Sequence, residues 1–138
     1  MKSDPKECLY CQNNETLHNL MIEIAQLSVS RVFLFKEQTY RGRCLVSYKD
    51  HVNDLNELSD EDRNAFMADV ARVTRAMQKA FQPEKINYGA YSDKLSHLHF
   101  HLAPKYVDGP DYGGIFQMNP GKVYFCLLYT SPSPRDRG

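Results

Sequence analysis

Three histidines at alternate positions, His97, His99 and His101, are a concentrated set of chemically active side chains. Apolar residues separate them, and strict alternation is the period of a β-strand, so the imidazoles are predicted to share one face at spacings of about 6–7 Å. Imidazoles titrate near neutral pH, bind metals and act as nucleophiles. Residues 96–103 therefore predict a site that does chemistry. The alternative, a chance polar face, is disfavoured because this run holds three of the chain's five histidines.

The N-terminal half of the chain contains further residues that could bind a metal, a pair of cysteines and a histidine. Cys8 and Cys11 form a single CxxC motif. Such a pair can arise by chance, act in redox chemistry or supply half of a zinc site, which needs two more ligands. No βαβ pattern surrounds the motif, so redox chemistry is the least favoured. His51 follows a predicted strand, where site ligands commonly lie, although it can equally be an ordinary loop histidine.

The composition is that of one globular domain. The chain has 138 residues, 42% of them hydrophobic, and its 17 basic residues balance 17 acidic ones. This length is enough to bury a hydrophobic core. A net charge of zero provides no overall positive potential that would attract a nucleic acid. No apolar run is long enough for a membrane span and the first residues lack a signal-peptide core, so we expect no membrane partner and a cytoplasmic protein with reduced cysteines.

The order of predicted elements indicates an α+β fold. Strands are predicted at residues 20–27, 32–35, 44–48, 86–91 and 96–103, with a turn-like stretch at 12–18 and a further short strand starting at 123. Ser59 can cap a helix whose apolar residues fall at helical spacing as far as about Phe81, before Pro83 stops it. Strands joined by short turns and one long helix predict an antiparallel sheet with this helix packed on it.

The histidine run also resembles a known family. Residues 97–103 match the pattern His-φ-His-φ-His-φ-φ, where φ is apolar, the signature of the histidine triad (HIT) family of nucleotide hydrolases and transferases. The stretch from Ile86 to Tyr106 is similar to the bacterial branch often described as diadenosine polyphosphate hydrolases. The resemblance runs from about Cys8 to Phe125. It implies a five-stranded antiparallel sheet, a homodimer and a purine nucleotide substrate, either a dinucleoside polyphosphate or a nucleoside phosphoramidate.

The family's chemistry implies a role for each histidine. His99, the middle one, attacks the α-phosphorus, and water then hydrolyses the nucleotidyl-histidine intermediate. The resemblance places the backbone carbonyl of His97 against the other ring nitrogen of His99, which fixes the tautomer. His101 helps to hold the phosphate or to move protons. No metal needs to touch the phosphate, so the resemblance implies no cofactor for the chemistry itself.

A structural zinc site is a further implication of the resemblance. Cys8, Cys11, His51 and His97 correspond to a zinc site in some relatives, including galactose-1-phosphate uridylyltransferases. Two thiolates and two imidazoles complete a tetrahedral set, which makes such a zinc structural. Its use would be to hold the N-terminal segment beside the histidine strand. The alternative is that the two cysteines are simple thiols on a loose segment.

The sequence departs from the family's pattern before the first histidine. Relatives usually have Asn or Gln where this chain has Asp93, and many have Ser or Thr where it has Lys94. An ionised carboxylate cannot donate to a phosphate as an amide can, although Lys94 can compensate as a point charge. With Asn87, and with Glu37 as a candidate ribose contact, these are the predicted substrate-binding residues. The nucleotide pocket is expected near residues 35–38 and Arg41.

Two other classes of function are compatible with the residues. A metal-dependent enzyme could use all three histidines of the run as ligands, although no obvious motif supplies a carboxylate ligand. A non-catalytic nucleotide-binding protein of the same fold is favoured over it because of Asp93 and Lys94. Finally, residues 126–136 read as an in-frame translation of a sequencing-library adapter. We therefore expect a C-terminally truncated HIT domain in residues 1–125 and a disordered, artefactual tail in 126–138.

Overall fold

The computed structural model describes residues 8–91, 93 and 96–123. Two short helices come first, α1 (Leu9–Gln12) and α2 (Glu15–Leu20), followed by the strands β1 (Met21–Gln26), β2 (Ser30–Phe35) and β3 (Cys44–Tyr48). A short 3-10 helix, Leu55–Glu57, leads to α3 (Asp60–Phe81), and the strands β4 (Lys85–Gly89) and β5 (His99–Lys105) follow. Among the described residues, no helix has both the length and the apolar character needed to cross a bilayer.

All five strands form one antiparallel sheet with the order β1-β2-β3-β5-β4. Helix α3 covers one face, where the largest cluster of buried side chains lies. The segment that contains α1 and α2 packs on the opposite face, with the inward side chains of β1, β2 and β3. Every residue of β3 is buried. The predicted α+β fold with a five-stranded antiparallel sheet and one long helix is confirmed. Strand β5, which contains His99 and His101, lies next to the buried central strand β3.

Helix α3 forms where its local signals predicted it. The Ser59 side chain accepts a hydrogen bond from the Asp62 amide at 3.1 Å, which satisfies one of the unpaired N–H groups of the first turn. Gln82 ends the helix in the left-handed conformation, just before Pro83. The buried stripe of α3 packs on the sheet and consists of Phe66, Val70, Val73 and Met77. Burying each of these side chains contributes about 1.5–3 kcal/mol before the loss of chain entropy.

Two predicted elements differ from the structure. The stretch predicted as turn-like overlaps α2, because the Asn14 side chain caps the Thr16 amide at 3.1 Å and Leu17 is fully buried. Strand β5 begins at His99 rather than at residue 96, and it continues through Pro104. The pairing of β5 with β3 ends at Leu102, so Pro104 does not pair with β3. A proline, which has no N–H to donate, can be accommodated in a strand at a position without such a neighbour.

Part of the C-terminal prediction lies outside the described residues. Val123 is in no strand, and residues 124–138 are beyond the described range, including the predicted tail from 126. The strand predicted to start at 123 is therefore not present at its first residue. The predicted domain boundary at 125 and the origin of the tail stay predictions.

Asp69 ties helix α3 to the turn between β1 and β2. Its carboxylate is fully buried and accepts hydrogen bonds from Ser28 Oγ at 2.9 Å, the Val29 amide at 2.9 Å and Ser30 Oγ at 2.8 Å. We expect Asp69→Ala to lower the free energy of unfolding by about 2–3 kcal/mol, because three donors lose a buried acceptor together. Chemical denaturation measures this loss. Asp60→Ala, which removes an exposed carboxylate from the same helix, is the control and should cost much less.

Candidate functional site

The three histidines lie on the sheet face that α1 and α2 cover. His99 pairs with Ser47 of β3, and His101 pairs with Leu45 of β3 and with Gly89 of β4. His97 precedes β5 rather than belonging to it, because the chain bends at that residue. All three imidazoles are buried. The intervening Leu98, Phe100 and Leu102 join the core under α3, so the predicted division of the run into two faces is present in the structure.

His99 is held by the backbone of its neighbour in the run. Its Nδ1 lies 2.6 Å from the carbonyl oxygen of His97. A carbonyl only accepts hydrogen bonds, so Nδ1 carries the proton and donates it, and the neutral ring keeps its lone pair on Nε2. Burial lowers the pKa of His99, which favours this neutral form at physiological pH. The hydrogen bond that the resemblance implied is therefore present, and Nε2 has the electronic form that a nucleophile needs.

The ring of His97 faces away from this bond and toward the N-terminal cysteines. Its Nε2 donates to the carbonyl of Tyr48 at 2.8 Å, which leaves the lone pair on Nδ1. That Nδ1 lies 3.2 Å from Cys8 Sγ and 3.5 Å from Cys11 Sγ. Burial lowers the pKa of His97 to about 4, so the ring is neutral at pH 7. Metal-binding imidazoles have this arrangement, with one nitrogen toward the metal and the other bonded to a carbonyl.

Cys8, Cys11, His51 and His97 bring four ligand atoms together, all within 4.8 Å of one another. The Sγ of Cys11 lies 3.4 Å from Nδ1 of His51. A tetrahedral zinc with bonds of about 2.0–2.3 Å needs ligand atoms roughly 3.3–3.8 Å apart. The three closest separations, 3.2, 3.4 and 3.5 Å, are near this range, and the donor set of two thiols and two imidazoles is one that zinc prefers. Burial, followed by the neighbouring Cys8, raises the pKa of the Cys11 thiol to about 11. Adjacent thiols of this kind become thiolates readily only when a cation lies between them.

The three histidines do not converge on a common metal. In the described part of the chain, the group of potential metal ligands contains His97 but neither His99 nor His101. Nδ1 of His99 is engaged by a carbonyl, and Nδ1 of His101 lies 3.1 Å from Arg43 Nη2. The hypothesis of a metal-dependent enzyme that uses the whole triad as ligands receives no support from this arrangement.

The predicted substrate-binding residues have different surroundings. Asn87 pairs with Ala103 and so shares the face of His101, whereas Asp93 is exposed in a bend. Lys94 lies outside the described residues. The Glu37 carboxylate accepts hydrogen bonds from the amides of Thr39, Lys122 and Val123 and from the Thr39 hydroxyl. Its role toward a ribose stays a prediction, as do the roles of the other three.

Two residues of the expected nucleotide pocket lie at different distances from the triad, and the pocket itself stays a prediction. The edge of the Phe35 ring approaches His101, with ring centroids 6.2 Å apart. The guanidinium of Arg41 lies instead over the rings of Phe81 and Tyr106, at 5.8 Å and 5.7 Å from their centroids. This exposed side chain therefore packs against the end of α3 and the segment after β5.

Two residues at the site were missed by the sequence reasoning. The buried ring of Tyr10 lies against both His97 and His99, with centroids 5.2 Å and 5.1 Å apart. Arg43 is fully buried beside His101. The alternation of β3 contained a signal for Arg43, because it lies two residues before Leu45 and so on the histidine face. Nothing in the local sequence of Tyr10 indicated its contact, which depends on how α1 docks.

Gly89 leaves room for a ring that contacts the site. A Cβ at this position would lie 2.9 Å from Phe116 and 2.7 Å from Tyr91, and Phe116 packs on His101. We expect Gly89→Ala to displace the Phe116 ring and to lower the free energy of unfolding by about 1–2 kcal/mol. Denaturation and the aromatic NMR signals of Phe116 measure the two effects. Gly114→Ala is the control, since a Cβ there meets no atom closer than 3.6 Å and neither effect is expected.

Comparisons with known proteins identify the family of this chain. The family model for the HIT domain matches residues 15–108, so the chain belongs to the histidine triad family. It is 32% identical over 89 residues to adenosine 5'-monophosphoramidase hnt1 of Schizosaccharomyces pombe, covering 61% of this chain and 64% of the relative. It is 27% identical over 90 residues to the protein hit of Bacillus subtilis, covering 62% of each chain. The matches thus span slightly less than two thirds of these relatives.

Solved structures show the same fold at low identity. A histidine triad protein of Bradyrhizobium japonicum superposes with a TM-score of 0.75 at 18% identity, covering 86% of this chain and 88% of that one. A zinc-bound histidine triad family protein of Mycobacterium smegmatis superposes with a TM-score of 0.64 at 20% identity, covering 85% and 86%. At these identities the likeness establishes the fold.

Proposed function

We propose that this protein is a nucleotide phosphohydrolase or nucleotidyltransferase that cleaves at the α-phosphate of a purine nucleotide. The observation that carries the proposal is the 2.6 Å hydrogen bond from His99 Nδ1 to the carbonyl of His97, which leaves the lone pair of His99 on Nε2. Membership of the HIT family supports it. The name of the yeast relative makes a nucleoside phosphoramidate one candidate substrate, and the resemblance to the bacterial branch makes a dinucleoside polyphosphate the other.

The proposed reaction has two displacements at phosphorus. In the first, the Nε2 lone pair of His99 forms a bond to the α-phosphorus, and the bond from phosphorus to the leaving group breaks with its electron pair. The proton on Nδ1 stays in the bond to the His97 carbonyl, which stabilises the positive ring of the intermediate. In the second, a water oxygen bonds to phosphorus, the N–P bond returns its electrons to His99, and the proton of the water passes to solvent.

We also propose that Cys8, Cys11, His51 and His97 hold a structural zinc. The ligand separations and the Nε2–H bond of His97 to Tyr48 support this assignment. When bound, the zinc supplies a link between the N-terminal segment and the residue whose carbonyl positions His99. The homodimer, which the family resemblance implies, the cytoplasmic location and the absence of a membrane partner belong to the same proposal. So does the absence of a nucleic acid partner, which the zero net charge supports.

Trapping the covalent intermediate tests the proposed reaction. Protein mixed with diadenosine tetraphosphate or adenosine 5'-phosphoramidate and quenched in acid-free denaturant is expected to gain the mass of one adenylyl group. The adduct should map to His99 and be absent from His99→Asn. His18→Asn, which changes an exposed histidine of α2, is the matched control and should retain the adduct. Nucleotide binding without an adduct or turnover would instead establish the non-catalytic binding protein.

A further inference from the structure

Arg43 is a buried cation that the proposed reaction does not yet use. None of its surface is exposed, and its guanidinium lies over the rings of Phe35 and Phe116, at 4.5 Å and 5.1 Å from their centroids. Within the described ranges, it takes part in no ion pair and its Nε has no hydrogen-bond partner. Burial lowers the pKa of Arg43 to about 10, so it stays protonated at neutral pH. Removing a cation from water without pairing it is costly, which indicates a role beyond packing.

The partner of Arg43 at the site is the third histidine. Arg43 Nη2 lies 3.1 Å from Nδ1 of His101, and Nη1 donates to the carbonyl of Gln117 at 3.0 Å. A guanidinium has donors and no acceptor, so Nδ1 of His101 accepts this hydrogen bond. A neutral His101 therefore carries its proton on Nε2. A proton on Nδ1 would instead point one N–H group at another, and a second proton on the ring would put a positive charge beside Arg43. Burial, then His99 and Arg43, lower the pKa of His101 to about 3.

His99 and His101 consequently hold opposite tautomers on one face of β5. Their ring centroids are 5.0 Å apart. A carbonyl partner puts the proton of His99 on Nδ1, and an arginine partner puts the proton of His101 on Nε2. The first ring thus offers an electron pair at Nε2, and the second offers an N–H at Nε2. The carbonyl of His97 therefore makes His99 a potential nucleophile, and the guanidinium of Arg43 makes His101 a hydrogen-bond donor.

The donor form of His101 restricts the leaving group. A neutral imidazole can donate a hydrogen bond to a phosphoryl oxygen, but it is a very weak acid and does not readily give up its proton. When His99 attacks a phosphoanhydride, the P–O bond breaks and its electrons leave on an oxygen that is a stable phosphate anion at neutral pH. Breaking the P–N bond of a phosphoramidate puts that electron pair on nitrogen, which needs a proton in order to leave.

We propose that Arg43 is a positioning residue that holds His101 as a neutral Nε2–H donor and thereby makes the protein prefer nucleotide phosphoanhydrides over nucleotide phosphoramidates. The choice of leaving group rests on the proposed function. The tautomer does not, because it follows from the hydrogen bond alone. The two parts are therefore tested separately, on the full chain loaded with zinc.

Nitrogen-15 NMR of the histidine rings tests the tautomer without any substrate. Signals of His101 are assigned by their loss in His101→Asn. In the parent protein at neutral pH, Nε2 of His101 is expected to be protonated and Nδ1 unprotonated. Arg43→Lys, which keeps a charged donor, should preserve this pattern, and Arg43→Met should lose it. A proton on Nδ1 of His101 in the parent overturns the proposal, even if Arg43→Met does not fold.

Competition between two substrates tests the leaving group. The ratio of kcat/KM for diadenosine tetraphosphate to that for adenosine 5'-phosphoramidate should exceed one in the parent and in Arg43→Lys. In Arg43→Met it should fall by about tenfold or more, since the guanidinium no longer occupies Nδ1 of His101 or opposes a second proton on its ring. A parent that prefers the phosphoramidate, or a ratio unchanged in Arg43→Met, overturns this part. A parent that cleaves neither compound refutes the proposed function, while the NMR result still decides the role of Arg43.

Discussion

His99→Asn is expected to reduce turnover by several orders of magnitude while nucleotide affinity changes little. Asparagine keeps much of the shape of the side chain and can still donate to the carbonyl of His97, but it has no ring nitrogen to form the bond to phosphorus. The loss therefore falls on kcat rather than on binding. Release of AMP from diadenosine tetraphosphate or adenosine 5'-phosphoramidate measures turnover, and calorimetric titration with AMP measures affinity.

Two control variants test whether the loss of turnover is specific to His99. His18→Asn makes the same change at an exposed position in α2 and should leave turnover unaffected. His101→Asn should reduce turnover less than His99→Asn, because it removes a hydrogen bond to the phosphate rather than the covalent step. Thermal unfolding of each variant separates a lost reaction from a lost fold. Near-normal turnover in a folded His99→Asn protein would end the nucleotidyl-histidine mechanism.

The second large effect is expected at the zinc site. Protein purified without a polyhistidine tag should contain about one zinc per chain, as four ligands in one tetrahedral set predict. Cys11→Ala should bind far less zinc and lose about 3–4 kcal/mol of unfolding free energy when zinc is several hundred times its dissociation constant. Cys11 is the informative position because its side chain is exposed, whereas Cys8 is buried and also caps α1.

Metal-free protein provides the comparison that isolates the zinc. After chelation, Cys11→Ala and the parent should have nearly equal stability, since the substitution itself removes little packing. Cys44→Ala should keep a full complement of zinc, because Cys44 belongs to the core under α3. Substoichiometric zinc in the parent after zinc-supplemented growth contradicts the assignment. Equal losses from Cys11→Ala with and without metal do so as well.

The sequence by itself determined the strands of the sheet, the long helix and the family of the chain. The period of two in residues 96–103 predicted that Leu98 and Leu102 enter the core while His99 and His101 share the opposite face. Helix α3 was predicted over its observed length, because the capping at Ser59 and the stop before Pro83 are interactions between residues close together in the chain. Local signals of this kind need no knowledge of the fold.

Local patterns did not determine which distant residues meet; the family resemblance implied the group of cysteines and histidines, and the tertiary structure decided the other contacts. Cys11 lies against His51 and His97, which are 40 and 86 residues away in the chain, and no local pattern fixes such distances. Arg43 reaches His101 across 58 residues because β3 and β5 are neighbours in the sheet. The tautomers depend on these contacts, and the lowered pKa values depend on burial. Both arise only when the sheet and the N-terminal segment enclose the histidines, because hydrogen-bond partners and solvent exclusion are properties of the packed chain rather than of its order.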